Sequence, residues 1–263
     1  MLEAEDARAE DVSPLLEGLR SSDPRLQRLA ARGLGRLERP EHASALLPLL
    51  DSSVAEVRAE VVNALGQTGA GLDLGPFLTK ETDGYVRGVF YETIGRLPQA
   101  DETLLRRGLS EPDLAARIGA AKGLEAFFRK TQRAPGPETV ARLREAAGER
   151  GSPLLRALAL LTLNAAGDFH PPTLSAALED PEPQVRRLAV IGGKEWKEDP
   201  SPMVRYEALR LAGNCERAEA ALRDSSPQVA LLAIDLLGNG CSAKTLAREV
   251  DEAADWRRRS RAL

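Results

Sequence analysis

The chain has 263 residues: 43% hydrophobic, 29% charged and only 4% aromatic, with 36 basic and 40 acidic side chains. That length holds a sizeable core in one large domain or two ordinary ones, and a net charge of −4 argues against a basic nucleic-acid binder. Two cysteines are too few for a disulfide framework, and no apolar run approaches the roughly 20 residues of a membrane-spanning helix. No stretch reads as a signal peptide, so the visible chain suggests a cytoplasmic setting; a periplasmic one stays open if Met1 replaces a removed leader.

Taken in chain order, two kinds of short helix alternate. The first kind reads from VSPLLEGLR (12–20), HASALLPLL (42–50), a poorer LDLGPFLTK (72–80) broken by Gly75 and Pro76, DETLLRRGL (101–109), PETVARLREAA (137–147), PPTLSAALE (171–179), ERAEAALRD (216–224) and AKTLAREV (243–250). The second kind carries a repeated motif: an apolar anchor, usually Arg, then small or apolar residues four and seven places on, then Leu and Gly. Its anchors are Leu26, Val57, Val86, Ala116, Leu155, Val185, Val204, Val229 and Trp256. Residues at +3, +4, +7 and +8 from each anchor fall on one helical face. Asp23-Pro24, Ser152-Pro153, Ser201-Pro202 and Ser226-Pro227 place a capping oxygen before a proline, and Glu182-Pro183 is a weaker version. Gly35, Gly66, Gly95, Gly213 and Gly238 read as left-handed helix stops. Two short helices per thirty-odd residues, neither able to bury its apolar stripe alone, describe an all-α solenoid.

VRAEVVNALGQTG (57–69) and SPMVRYEALRLAG (201–213) resemble HEAT repeats of the short bacterial, HEAT-like or lyase type. The resemblance covers nearly the whole chain. It implies an α-solenoid of about nine helix pairs in a single domain over 1–263, and says little of function because these repeats serve many roles. EDARA (5–9), RLAARGLGRLERP (28–40) and VRAEVVNALGQ (57–67) also look like the amino-terminal HEAT region of multidomain bacterial peptidyl-prolyl isomerases, whose catalytic domain would follow Leu263.

Three places break the rhythm. The 39 residues from Ala116 to Leu155 contain TQRAPGPE (131–138), a loop with a Pro-Gly-Pro turn. The 19 residues from Val185 to Val204 leave no room for a first-kind helix, so GGKEWKEDPSP (192–202) joins two motif helices almost directly. The last unit stops at Leu263 before its closing Leu-Gly, which reads as a truncated repeat or a capping one; WRRRSR (256–261) is polar enough to face water.

No catalytic constellation emerges. His42 and His170 hold equivalent places four repeats apart, roughly 40 Å at about 10 Å per helix diameter, so they share no metal and are expected at the surface near helix starts. Cys215 and Cys241 are equivalent positions on adjacent repeats. A disulfide wants Cα atoms within about 7 Å, a shorter span than adjacent repeats usually leave, so two half-buried thiols are expected. GQTGAG (66–71) lacks the Lys-Ser/Thr ending of a phosphate loop. No cofactor and no small-molecule ligand is implied.

Arginine is the most ordered feature. It follows the anchor as Arg58, Arg87, Arg117, Arg156, Arg186, Arg205 and Arg257, with exceptions at Gln27 and Ala230. The expected role is structural, pairing across the repeat junction with an acid such as Asp83 or Asp113; the alternative is a basic stripe that binds phosphate or acidic peptides. Positions +2 and +6 of the motif helices point away from the packed stripe. Arg32, Asn63, Glu92, Lys122 and Arg210 hold +6, Tyr206 holds +2, and Trp196 lies in the short linker. These seven are the candidate partner-binding residues, with Trp196, Tyr206 and Arg210 as anchors, since aromatics and arginine dominate binding hot spots. LLRALALLTLN (154–164) is apolar nearly all round and is expected either to be covered on both sides or to expose an apolar patch.

The expected function is a non-catalytic scaffold that holds a protein or peptide on its concave face, with no membrane partner. The alternatives are a HEAT module of a larger isomerase, a HEAT-like DNA glycosylase, which the charge and aromatic content disfavour, and a chromophore-lyase subunit, which shares the repeat type.

Overall fold

The computed structural model describes residues 11–241, 245, 247–248 and 256–262, and every regular element among them is helical. The chain forms two compact units, one of residues up to 146 together with 161–166, the other of 147–160 with 167–263.

The elements of the first unit are α1 (Ser13–Leu19), α2 (Pro24–Arg36), α3 (Ala43–Leu46) between 3-10 turns at Pro40–His42 and Leu47–Asp51, α4 (Ala55–Gln67), α5 (Gly75–Lys80), α6 (Gly84–Arg96), α7 (Glu102–Gly108), α8 (Leu114–Thr131) and α9 (Pro137–Ala147). There follow α10 (Pro153–Ala165), α11 (Pro171–Leu178), α12 (Pro183–Gly193), α13 (Pro202–Ala212), α14 (Cys215–Ala221), α15 (Pro227–Gly238) and α16 (Trp256–Ala262). The motif helices stack on one another: α2 on α4, α4 on α6 and α6 on α8 in the first unit, α12 on α13, α13 on α15 and α15 on α16 in the second. First-kind helices lie against their own motif helix, as α1 does on α2, α7 on α8, α11 on α12 and α14 on α15. Each unit is thus a short stack of helix pairs, the α-solenoid arrangement.

The amphipathic reading of the motif helices holds at the anchors. Val57, Val86, Ala116, Leu155, Val185 and Val204 are buried to within about one percent of full enclosure. Leu26, the anchor of α2, differs: it is 39% exposed, and α2 packs instead through Ala30, Ala31 and Leu34. Trp256 begins α16, but its side chain lies outside the described set, as do residues 5–9 and most of 243–250.

The first-kind helices are shorter than the apolar pattern suggests. Pro48 cuts 42–50 into one helical turn between two 3-10 turns, and 72–80 is helical only from Gly75. Both follow from proline's missing N–H and its clash with the preceding turn.

Asp83, Asp101, Asp113 and Asn214 cap their helices by accepting from amides two or three residues on, and Asp23 and Ser152 do the same. Ser201 and Ser226 do not cap with their side chains, contrary to expectation. Their own amides are instead held by Asp199 and Asp224.

The motif glycines are not left-handed stops. Gly35, Gly66 and Gly95 lie within α2, α4 and α6, and none of the five has a positive φ. The left-handed residues are Glu38, Gln132 and Lys194, together with Gly69, Gly71, Gly167 and Gly240. What the motif glycine supplies is close approach. A Cβ on Gly95 would overlap the backbone of Gly123, and one on Gly119 the backbone of Gly88, so α6 and α8 touch main chain to main chain.

Both spacing irregularities appear where expected. α8 runs for 18 residues and ends at left-handed Gln132, before the loop that leads to Pro137. α12 ends at left-handed Lys194, and α13 begins at Pro202 with no helix between them.

Candidate partner-binding surfaces

The arginine ladder is a chain of buried pairs. Arg58 grips both oxygens of Glu81 at 2.7 and 3.0 Å, and Arg87 grips both oxygens of Glu111. Arg156 does so with Asp180 at 2.6 and 2.7 Å, Arg186 with Asp199 at 2.7 and 2.8 Å, and Arg205 with Asp224 at 2.7 Å twice. Every acid stands five residues before the next anchor: 81 before 86, 111 before 116, 180 before 185, 199 before 204, 224 before 229. Arg58, Arg87, Arg117, Arg186 and Arg205 also donate to the carbonyl at that same place in their own repeat: Ser52, Glu81, Glu111, Asp180 and Asp199. Gln27 keeps this second bond, to Ser21. The turns at Glu81, Glu111, Asp180 and Asp199 are therefore clamped twice, the carboxylate by the preceding repeat and the carbonyl by their own. Asp83 and Asp113, the partners expected from the sequence, are caps instead.

These clamps set the ionisation of the turns. Arg205 holds the Asp224 carboxyl below the usual carboxylate range. For Glu81, Glu111, Asp180 and Asp199, burial pushes the carboxyl up, but the arginine bonds outweigh it, with turn amides helping at Glu81, Asp180 and Asp199 and the Tyr91 hydroxyl at Glu111; all four lie low. Tyr91, buried and donating to Glu111, is pushed up to about 12. A carboxylate so held is a weak base and a poor acid–base catalyst.

The candidate residues at +6 are tied to one another or to neighbouring motif helices. Arg32 pairs with Glu60 at 2.8 Å, and Asn63 accepts from Arg96 at 3.3 Å. Glu92 takes both Arg96 and Lys122, and Asp235 pairs with Arg261. In the second unit Arg187 and Arg210 share Glu207, at 2.6 and 2.7 Å. This column is a series of cross-braces between successive helices rather than a row of unpaired groups. Leu154 and Leu161 of α10 are 51% and 40% exposed, whereas Leu155, Leu160 and Leu163 are buried.

The three anchors do not form one site. Tyr206 is half-buried against the core around Leu209, Val229 and Ala233. It lines a cleft of about 480 Å³ on the motif-helix side with Arg187, Pro202, Met203, Glu207 and Gln228. Arg210 lies outside that lining. Trp196 is also half-buried, bridging the Leu209 core and the smaller core of Val190, Val204 and Ala208. It lines a separate cleft of about 500 Å³ with Leu209, Arg217, Ala220, Ala221 and Val229, and the Arg217 guanidinium lies 4.9 Å from its ring centroid. Met203 and Arg217 carry no mark in the repeat pattern; only the stacking of helices brings them to these clefts.

Two further expectations are overturned. Cys215 and Cys241 form a disulfide, with Cα atoms 5.4 Å apart. Cys215 opens α14 and Cys241 sits in the turn just after α15, so the chain folds back within reach where whole-repeat spacing predicts a gap. His42 is buried rather than at the surface, and its Nε2 has no hydrogen-bond partner; burial lowers its pKa, so the neutral ring is favoured. His170 starts α11 and bonds Thr173 at 3.0 Å.

Stacked helix pairs of this kind place the chain among the helical-repeat solenoids. Two stretches match HEAT-repeat models: residues 12–79 match the family model for HEAT repeats, and residues 172–190 match that for the HEAT repeat associated with sister chromatid cohesion. No curated protein matches the chain. Among solved structures, a chain in the complex of CpcE and CpcF of phycocyanin lyase from Nostoc sp. PCC7120 is similar, at 18% identity over 97% of this chain and 86% of that one, with a TM-score of 0.36. A crystal structure of an engineered protein is similar at 15% identity over 97% and 94%, with a TM-score of 0.23.

Proposed function

We propose that the chain is a non-catalytic interaction scaffold that holds a protein or peptide segment against the exposed face of its motif helices. The observation that carries this reading is the Tyr206 cleft. Met203 is 39% exposed there, and the Tyr206 hydroxyl makes no hydrogen bond among the described residues. An adaptable thioether beside an aromatic ring with a spare polar tip suits a peptide side chain. The one cation of the lining, Arg187, is paired with its one anion, Glu207, so the cleft is electrically balanced and favours an apolar side chain. The ladder carboxylates support a binding role over a catalytic one, because each is committed to an arginine.

The test is a photo-crosslinking amino acid in place of exposed Gln228, used in the native cell. The expected result is a crosslink to a defined segment of a partner protein. Met203→Ala with Tyr206→Ala should then weaken that partner's binding by about 2 kcal/mol, the size of a hot-spot loss. Unchanged affinity in the folded double variant would sink the assignment.

A further inference from the structure

The repeat built on α13 has no first-kind helix of its own. Residues 195–201 run where other repeats place one, and Trp196 fills part of the space by packing on both neighbouring cores. Three equivalent inter-repeat grooves are each floored by a ladder arginine and the acid it holds. The groove at Arg58 and Glu81 encloses about 370 Å³ and that at Arg156 and Asp180 about 300 Å³. The groove at Arg205 and Asp224, which lacks its helix, encloses about 500 Å³. Its floor is apolar, formed by Leu209, Ala221 and Val229.

The cleft lining carries three cations and three anions, but one of the cations is not paired with a carboxylate. Lys197 pairs with Glu179, Asp199 with Arg186, and Arg205 with Asp224. Glu198 is exposed to solvent, where salt screens it. Arg217 lies on Trp196 and donates to the Ala212 carbonyl, but no carboxylate among the described residues pairs with it. A guanidinium held over a ring and bonded to one carbonyl still has N–H groups to offer a carboxylate.

We propose that this cleft docks an acidic amphipathic helix of a partner protein, which sets apolar side chains on the Leu209–Val229 floor and a carboxylate on Arg217. The partner helix takes the place of the one this repeat lacks, in the helix-in-groove mode. The site is distinct from the Tyr206 cleft and does not rest on it.

The probe is a fluorescein-labelled, capped peptide of about twelve residues, long enough to form a helix when docked, that repeats Glu-Leu-Leu-Ala. Controls carry Gln or Lys for every Glu. Anisotropy titration should show saturable binding of the Glu peptide, weakened about tenfold or more by the Gln control, as expected for loss of a charge-assisted bond. Arg217→Gln should reproduce that loss. Ala220→Trp, at an exposed position on the cleft wall, should abolish binding while the melting temperature stays unchanged, which keeps the test sound if Arg217→Gln loosens α14. Met203→Ala, at an exposed position that lines only the other cleft, should leave binding intact. Absence of saturable binding, equal binding of Glu and Gln peptides, or insensitivity to Ala220→Trp would overturn the proposal. Loss on Met203→Ala alone would move the peptide to the other cleft and overturn it equally.

Discussion

At the scale of single residues, the arginine after the anchor decides more than any other side chain. An exposed ion pair contributes about 0–1 kcal/mol, whereas breaking a buried one leaves an uncompensated charge at a cost of about 3–5 kcal/mol. Arg156 and Asp180 belong to the second kind, with side chains 8% and 9% exposed. Arg156→Ala should therefore cost about 3–5 kcal/mol in urea denaturation, against at most about 1 kcal/mol for Arg32→Ala, whose side chain is 44% exposed. A small loss at Arg156 would mean the ladder is decoration. The arginine itself was legible, because it recurs at a fixed place. Its partner is less regular. Aligned on the anchors, an acid stands at −5 in six of nine units, with Ser21, Ser52 and Arg150 as the exceptions, while Asp83 and Asp113, three residues before their anchors, are spent on capping.

At the scale of elements, helix existence followed from the 3.6-residue pattern, because each motif helix buries one stripe. The meaning of the closing glycine did not follow. Glycine is favoured both at left-handed caps and where backbones touch, and sequence alone does not separate the two. The structure assigns it to contact, most tightly where Gly84, Gly88 and Gly95 of α6 meet α8 near Asp113, Gly119 and Gly123. Two effects oppose each other in Gly119→Ala. Alanine gains about 1 kcal/mol of helix propensity, but its Cβ meets the fixed carbonyl of Gly88 rather than a movable side chain. Overpacking against backbone costs about 1–3 kcal/mol or more, so Gly119→Ala should lower the urea midpoint. Gly33→Ala, which meets only the flexible end of Leu15, should cost less. A reversed order would show that α6 and α8 have slack between them. The missing helix before α13 was legible from the 19-residue spacing. The cleft it leaves was not, since its volume depends on how far Trp196 reaches into the gap.

At the scale of the whole molecule, the chain repeats one electrostatic device in both units, and this gives its stability a characteristic dependence on pH. Glu81, Glu111, Asp180, Asp199 and Asp224 all ionise below their ordinary values in the folded state. The unfolded chain binds protons more readily at each, so their contribution is complete above the unfolded values of about 4 and is lost as pH falls through the lowered folded values. His42 adds a separate limb. Its folded pKa lies below the ordinary value, so the unfolded chain again binds the proton first, and stability declines as pH falls from about 6.5 toward the lowered value. Urea denaturation followed between about pH 8 and pH 3 should show both: a shallow decline below about 6.5 and a steep one below about 4. His42→Leu should remove the first limb and leave the second. Arg205→Gln should flatten the second in part, because Asp224 then loses the partner that holds it low. A profile flat down to about pH 4 in the parent chain would place the His42 ring in water rather than in the core. A steep limb unchanged by Arg205→Gln would mean that the turn amides, and not the arginines, keep these carboxylates ionised.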